Sequence, residues 1–179
     1  MTHEEHDVAA LKEAVVSIQD FPKKGVLFRD ITPLLAKPNL LQVAAKEMIR
    51  PWRGKFDVVA GIESRGFVFA STAAAATSLG LHILRKPGKL PPPVYSQKYS
   101  LEYGEDALEL RQGVLPVGSR VLIMDDVLAT GGTAKAAAEL IRQAGAKVIG
   151  AAFLIDLTFL PGKEVLSKCG VESTSVLKY

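Results

Sequence analysis

Apolar residues in this chain follow two rhythms. Short, nearly continuous apolar blocks occupy 56–61, 81–84, 121–124 and 147–156, with a last one at 174–177. Such blocks suit strands covered on both faces of a parallel sheet. Between them the pattern predicts helices: Ala-rich 69–79, closed by Gly80, then 134–143, closed by Gly145, and a short one over 161–168. Another is predicted over 40–49, with Asn39 as its N-cap and Pro51 and Gly54 ending it. Val8, Leu11, Val15 and Ile18 recur at helical spacing, which predicts an amphipathic helix over about 4–18, broken by residues 20–25. Its plain role is packing, within the chain or across a subunit boundary. Strands alternating with helices argue an α/β fold with a parallel sheet.

The rhythm fails at 86–110. Leu90-Pro-Pro-Pro93 cannot be a central strand. Tyr95, Tyr99 and Tyr103 follow in a mixed stretch. A long segment without helix is functional or disordered, so 86–110 is expected to be a mobile flap, built as a two-stranded excursion. His82 reads as a strand-face residue, and Val26–Pro33 as a short strand or irregular segment running into a turn.

Composition adds bounds. The chain has 179 residues, 48% of them hydrophobic and 23% charged, as in an ordinary soluble domain. One core for residues 1–179 is expected. The net charge of +3 does not demand nucleic acid. Cys169 is the sole cysteine, so no intrachain disulfide forms, which fits a reducing compartment. The polar start is unlike a signal peptide, and no apolar run approaches a membrane span. The cytoplasm is the expected location.

The chemistry concentrates at 121–133. Four apolar residues, Val121 to Met124, lead into Asp125 and Asp126. Ala129, Thr130, Gly131, Gly132 and Thr133 then open a helix. A Gly-rich turn at a helix N-terminus presents backbone N–H groups to a phosphate. The Lys of a P-loop is absent, and so is the G-x-G-x-x-G of a dinucleotide fold. Two acids beside a phosphate cradle suit a ribose 5-phosphate, with the acids accepting hydrogen bonds from the ribose hydroxyls.

This string resembles the phosphoribosyl-pyrophosphate (PRPP) motif of the type I phosphoribosyltransferases. The resemblance implies that family's fold: a mostly parallel central sheet flanked by helices, a mobile flap, and a small base-binding hood. The hood would use about residues 1–34. Other stretches resemble the adenine phosphoribosyltransferase family in particular. F-P-x-x-G-x-x-F-R-D-I-T-P, from Phe21 to Pro33, is similar to its purine-reading segment. There Phe28 would stack on the base, and backbone groups of Leu27 and Arg29 would bond its edge. A carbonyl facing N6–H₂ would face an acceptor in an oxopurine, and such a mismatch discriminates strongly.

Glu63-Ser-Arg-Gly-Phe67 resembles the family's pyrophosphate loop, which implies contacts from Ser64 and Arg65 and a cis Glu63–Ser64 peptide. R-K-x-G-K-L-P and S-L-E-Y-G resemble its flap. By that likeness Arg85, Lys86 and Lys89 serve pyrophosphate, Arg85 in its own or a neighbouring subunit's site. Glu102 would handle the purine proton, and Tyr103 would pack at the active centre. The implied reaction is adenine plus PRPP giving AMP and pyrophosphate, a purine-salvage step. Mg²⁺ would arrive mainly through PRPP, with no dedicated protein cage. A homodimer is implied, with neither nucleic acid nor membrane as a partner.

Two rivals stay open at this point. One is transfer to hypoxanthine, guanine, xanthine or a pyrimidine, because only 26–33 and the flap speak for adenine. The other is a PRPP-sensing regulator, against which stands the lack of room for a winged helix before Phe21 and of a basic cluster.

Overall fold

The apolar blocks assemble into one five-stranded parallel sheet whose inner strands are buried on both faces. A computed structural model describes residues 3–100 and 105–179. Helix α1 (His3–Ala14) is followed by an antiparallel hairpin of β1 (Val16–Gln19) and β2 (Leu27–Asp30). Then come α2 (Thr32–Ala36), α3 (Leu40–Ile49), β3 (Val58–Ile62), α4 (Gly66–Thr77) and β4 (Gly80–Leu84). A second hairpin, β5 (Val94–Ser100) and β6 (Glu105–Arg111), precedes β7 (Arg120–Leu128), α5 (Gly132–Gln143), β8 (Lys147–Asp156), α6 (Gly162–Lys168) and β9 (Ser173–Lys178).

The strand order is β4-β3-β7-β8-β9. From β3 the chain winds outward to β4; from β7 it winds the other way, through β8 to β9. The switch of direction falls between β3 and β7, where an open α/β sheet leaves a crevice at the carboxyl ends of its strands. All five residues of β3 are buried, and Val121 to Met124 of β7 are fully covered. One face packs on α1, α3 and α4, through Leu11, Met48, Trp52 and Phe69. The other packs on α5 and the second hairpin, through Leu108, Leu110, Leu140 and Phe153. Each such side chain, fully buried, contributes roughly 1.5–3 kcal/mol.

Several expectations need correction. The first helix ends at Ala14, not near residue 18. Val16 to Gln19 instead pair with Leu27 to Asp30, because β-branched Val16 and Ile18 suit an extended chain once a partner strand is present. Helix 40–49 has the expected bounds, but Asn39 makes no side-chain cap and enters in the left-handed region at φ 69°. Ser78, at φ 55°, terminates α4, and Gly80 already opens β4. Strand β7 runs on to Leu128, so Asp125 and Asp126 lie within the strand and not after it.

The flap is also better anchored than expected. Its two arms are paired from Val94–Arg111 to Ser100–Glu105. Leu108 and Leu110 are buried against the face that carries α5. Backbone bonds between Arg85 and Glu109, at 3.0 and 2.7 Å, tie β6 to the end of β4. Free motion of the whole 86–110 stretch would break this packing.

Candidate active site

Two turns leave neighbouring strands at the switch point, and the site is built between them. Loop 129–131 follows β7 and runs into the N-terminus of α5. Gly131 stands at the helix entry with φ +84°, and a Cβ there would come 2.8 Å from the Gly162 carbonyl. Only glycine allows both that backbone and that approach. The loop therefore sits directly on the start of α6. Asp125, Ala129, Thr130, Gly131 and Thr133 line a small cleft of about 70 Å³ here. With the first amides of a twelve-residue helix at its rim, the cleft suits a phosphate.

The acids stand at the inner wall. Asp125 Oδ1 accepts a hydrogen bond from the Asp126 backbone N–H at 2.9 Å. Burial first, then the neighbouring Asp126 charge, push the Asp125 carboxyl well above its usual range. Asp126 is 5% exposed. Its Oδ2 lies 2.7 Å from Arg65 Nε, yet accepts no aligned hydrogen bond among the described residues. The contact is therefore charge attraction off the N–H axis. A buried carboxylate oxygen in that condition has capacity for a ligand hydroxyl or for the water of a hydrated cation. On that observation the pair fits ribose, and fits a Mg²⁺ ion brought in with phosphates.

Turn 63–66, after β3, faces the acids. The Glu63–Ser64 peptide is cis. Gly66 starts α4 so close to β7 that a Cβ would meet both Met124 O and Asp125 Oδ1 at 2.8 Å. Arg65 links three parts of the site. Besides its ion pair with Asp126, its guanidinium lies 5.3 Å from the centroid of the Phe28 ring. Phe28 is half-buried and meets the Phe21 ring edge-on, centroids 5.1 Å apart. The Arg29 side chain turns aside to the Tyr179 ring, 4.0 Å away, and donates to Ser17 Oγ. The Arg29 side chain is thus engaged away from Phe28, which leaves its backbone for a base there.

The basic turn after β4 converges on an acid absent from the sequence-derived site. Glu63 accepts hydrogen bonds from Lys86 N at 2.8 Å, Arg85 Nε at 3.3 Å and Lys89 Nζ. Burial pushes the Glu63 carboxyl up, but Lys89, the Lys86 amide and Arg85 outweigh it and bring it down to about 2. Lys86 splits from the group: its ammonium donates to Tyr99 Oη at 2.5 Å and to Asp106 on the second hairpin. Glu63, Tyr99 and Asp106 were all missed. Glu63 carried a signal, since it adjoins Ser64 and Arg65; the others depend on hairpin pairing. Arg65, Asp125, Asp126, Phe28 and the 129–133 loop gather around the crevice, and Arg85 and Lys89 gather on Glu63 beside it. Glu102 and Tyr103 lie outside the described residues.

A glycine-built cleft at a helix N-terminus and a buried acid pair at the switch point, with a cationic turn beside them, are the arrangement of a phosphoribosyltransferase site. Residues 32–163 match the family model described as a phosphoribosyl transferase domain. An adenine phosphoribosyltransferase of Synechococcus sp. (strain JA-3-3Ab) is 52% identical over 158 residues, 87% of this chain and 90% of that one. The crystal structure of the Rhodothermus marinus adenine phosphoribosyltransferase superposes with a TM-score of 0.90 at 41% identity, covering 98% of this chain and 99% of that one. The Saccharomyces cerevisiae enzyme, solved with an imino-altritol bisphosphate and adenine, gives 0.89 at 36% identity, covering 97% and 99%. The chain belongs to the adenine phosphoribosyltransferase family of phosphoribosyltransferases.

Proposed function

We propose that this protein transfers the 5-phosphoribosyl group from PRPP to adenine, giving AMP and pyrophosphate in purine salvage. One observation carries the reading beyond family membership. Arg65 spans from the Phe28 ring to Asp126, so base-reading segment, pyrophosphate turn and ribose acids meet at one side chain. Residues 1–179 act as a single catalytic domain, with about 1–34 as helix and base segment and 86–110 as flap.

Each part has a task. Ala129 to Thr133 hold the 5′-phosphate, and Asp125 and Asp126 hold the ribose hydroxyls, so that C1′ faces the base. Asp126 Oδ2, buried and without an aligned hydrogen bond among the described residues, is the oxygen placed to accept from a ribose hydroxyl. Phe28 stacks on adenine, and the backbone of Leu27 and Arg29 reads its edge. Ser64, Arg65, Arg85, Lys86 and Lys89 take up charge on pyrophosphate as it leaves an oxocarbenium-like centre. Mg²⁺, when bound through the PRPP phosphates, supplies further neutralisation of that charge. Glu102 manages the purine proton, Tyr103 serves the active centre, and the flap keeps water from C1′.

The protein acts in the cytoplasm as a homodimer. No helix of the described residues is long and apolar enough to cross a membrane. Leu81 and Ile83 on edge strand β4 are exposed, 38% and 37%. They offer an apolar seat for a second copy next to Arg85. The test offers adenine, hypoxanthine and guanine separately with PRPP and Mg²⁺. AMP from adenine alone is expected. Products from the oxopurines would discard base reading by residues 26–33, and no product with any of the three, PRPP still binding, would discard purine transfer and favour a PRPP sensor.

A further inference from the structure

Nothing in the chemistry above uses Glu63, yet the basic turn is built around it. Ile62 pairs with Leu84 across β3 and β4, and the Glu63 amide continues the ladder to Leu84 O at 2.9 Å. That register sets Glu63 beside the residues leaving β4. Its side chain, 9% exposed, accepts from the Lys86 amide, Arg85 and Lys89. Lys86 Nζ meanwhile has Asp106. Every cation of the turn thus already has a carboxylate partner. A pyrophosphate reaching Arg85 and Lys89 arrives beside a resident anion, and like charges at that range repel.

We propose that Glu63 is a resident counter-anion of the pyrophosphate subsite. It holds Arg85 and Lys89 in the free protein, yields them to pyrophosphate, and recovers them as pyrophosphate departs. It is a positioning residue, acting through those two cations and touching no reacting atom. The inference rests on the pyrophosphate role of the turn proposed above. It fixes the sign of an effect: neutralising Glu63 makes pyrophosphate bind more tightly and leave more slowly. A residue that merely braces the turn has the opposite sign, because its loss scatters the cations.

The experiment is calorimetric titration of Mg²⁺-pyrophosphate into the full-length wild type, Glu63→Gln, Glu63→Asp, Arg85→Ala and Lys89→Ala, with steady-state kinetics alongside. Glu63→Gln keeps an acceptor for the Lys86 amide and loses the charge. It is expected to lower the Kd for pyrophosphate about two- to fivefold, the scale of a partly screened ion pair. kcat and KM for PRPP should then fall together, a pattern that a structural defect does not produce. Glu63→Asp, which draws the charge back by one methylene, should shift Kd the same way by less. Unchanged or weaker pyrophosphate binding in Glu63→Gln overturns the proposal. If that variant does not fold, Glu63→Asp decides by the same criterion. If Arg85→Ala and Lys89→Ala leave pyrophosphate affinity untouched, the turn is not the pyrophosphate subsite, and the underlying reading fails with the inference.

Discussion

The two sides of the crevice are made from different materials. The β7 side is backbone and buried acid: a left-handed glycine, the first amides of α5, and Asp125 and Asp126 against the sheet. Its shape is set by contacts such as Gly131 on Gly162, where a methyl group would not fit. The β4 side is long cationic side chains on a turn, held by carboxylates at Glu63 and Asp106. The first side is preorganised, so little rearranges when an anion docks. The second is exchangeable, so each of its contacts is a swap of one partner for another. A reaction that keeps the ribose phosphate bound and lets pyrophosphate go has use for both kinds of wall.

Three measurements bear on this contrast. The largest effect is expected for Leu108→Ala, which tests whether the cationic side has a rigid root. Leu108 is fully buried, so truncation should cost roughly 2–5 kcal/mol, read from denaturant unfolding. A loss below about 0.5 kcal/mol, the range of a surface site, would mean that the hairpin does not belong to the core.

Next comes Asp126→Asn on the preorganised side. The amide can still accept from a ribose hydroxyl, but it loses the charge that faces Arg65. kcat/KM for PRPP should drop about 10- to 100-fold, as for loss of a charge-assisted bond. Unchanged kinetics would remove the acid pair from ribose binding.

The smallest effect is one of pH, and its sign differs between the sides. The folded Glu63 carboxyl titrates near 2, below its ordinary value of 4.5. Its contribution to stability is present above the ordinary value and is lost as pH falls toward 2. Asp125 is shifted upward from 3.8. The folded chain keeps that proton while the unfolded chain releases it, so this site costs stability as pH rises past 3.8. The melting temperature of Glu63→Gln should approach that of the wild type as pH is lowered. Asp125→Asn should gain on the wild type as pH is raised. Parallel pH profiles for both variants would erase the distinction.

Much of this architecture was legible along the chain because the deciding contacts are local or compositional. Strand β8 occupies the predicted 147–156 at both ends, since an apolar run bracketed by turns has few alternatives. The strand, turn and helix start at 121–133 were legible for a similar reason: thirteen consecutive residues carry all three. The misses are non-local. Val16 to Gln19 became strand only through a partner beginning at Leu27. Asn39 has the composition of a cap, but its left-handed backbone turns the side chain to no cap bond. Glu63 acquires its partners through the β3–β4 register, which no spacing along the chain displays. The sequence motifs name residues on short continuous segments, whereas acids such as Glu63 and Asp106, which balance cations brought to them by strand register and hairpin pairing, carry no such mark.

The strand order has a metric consequence. Turn 63–66 and loop 129–131 issue from β3 and β7, which are hydrogen-bonded neighbours. Where they are paired, up to Gly61 and Met124, the two strands lie one rung of a parallel ladder apart, about 4.8 Å, and β7 then runs on alone to Leu128 before its loop begins. Substitutions around the crevice can alter what is gripped and how firmly. The spacing of the two strands is set by backbone hydrogen bonding, and the reach of β7 past the end of β3 carries the phosphate loop beyond the turn that faces it.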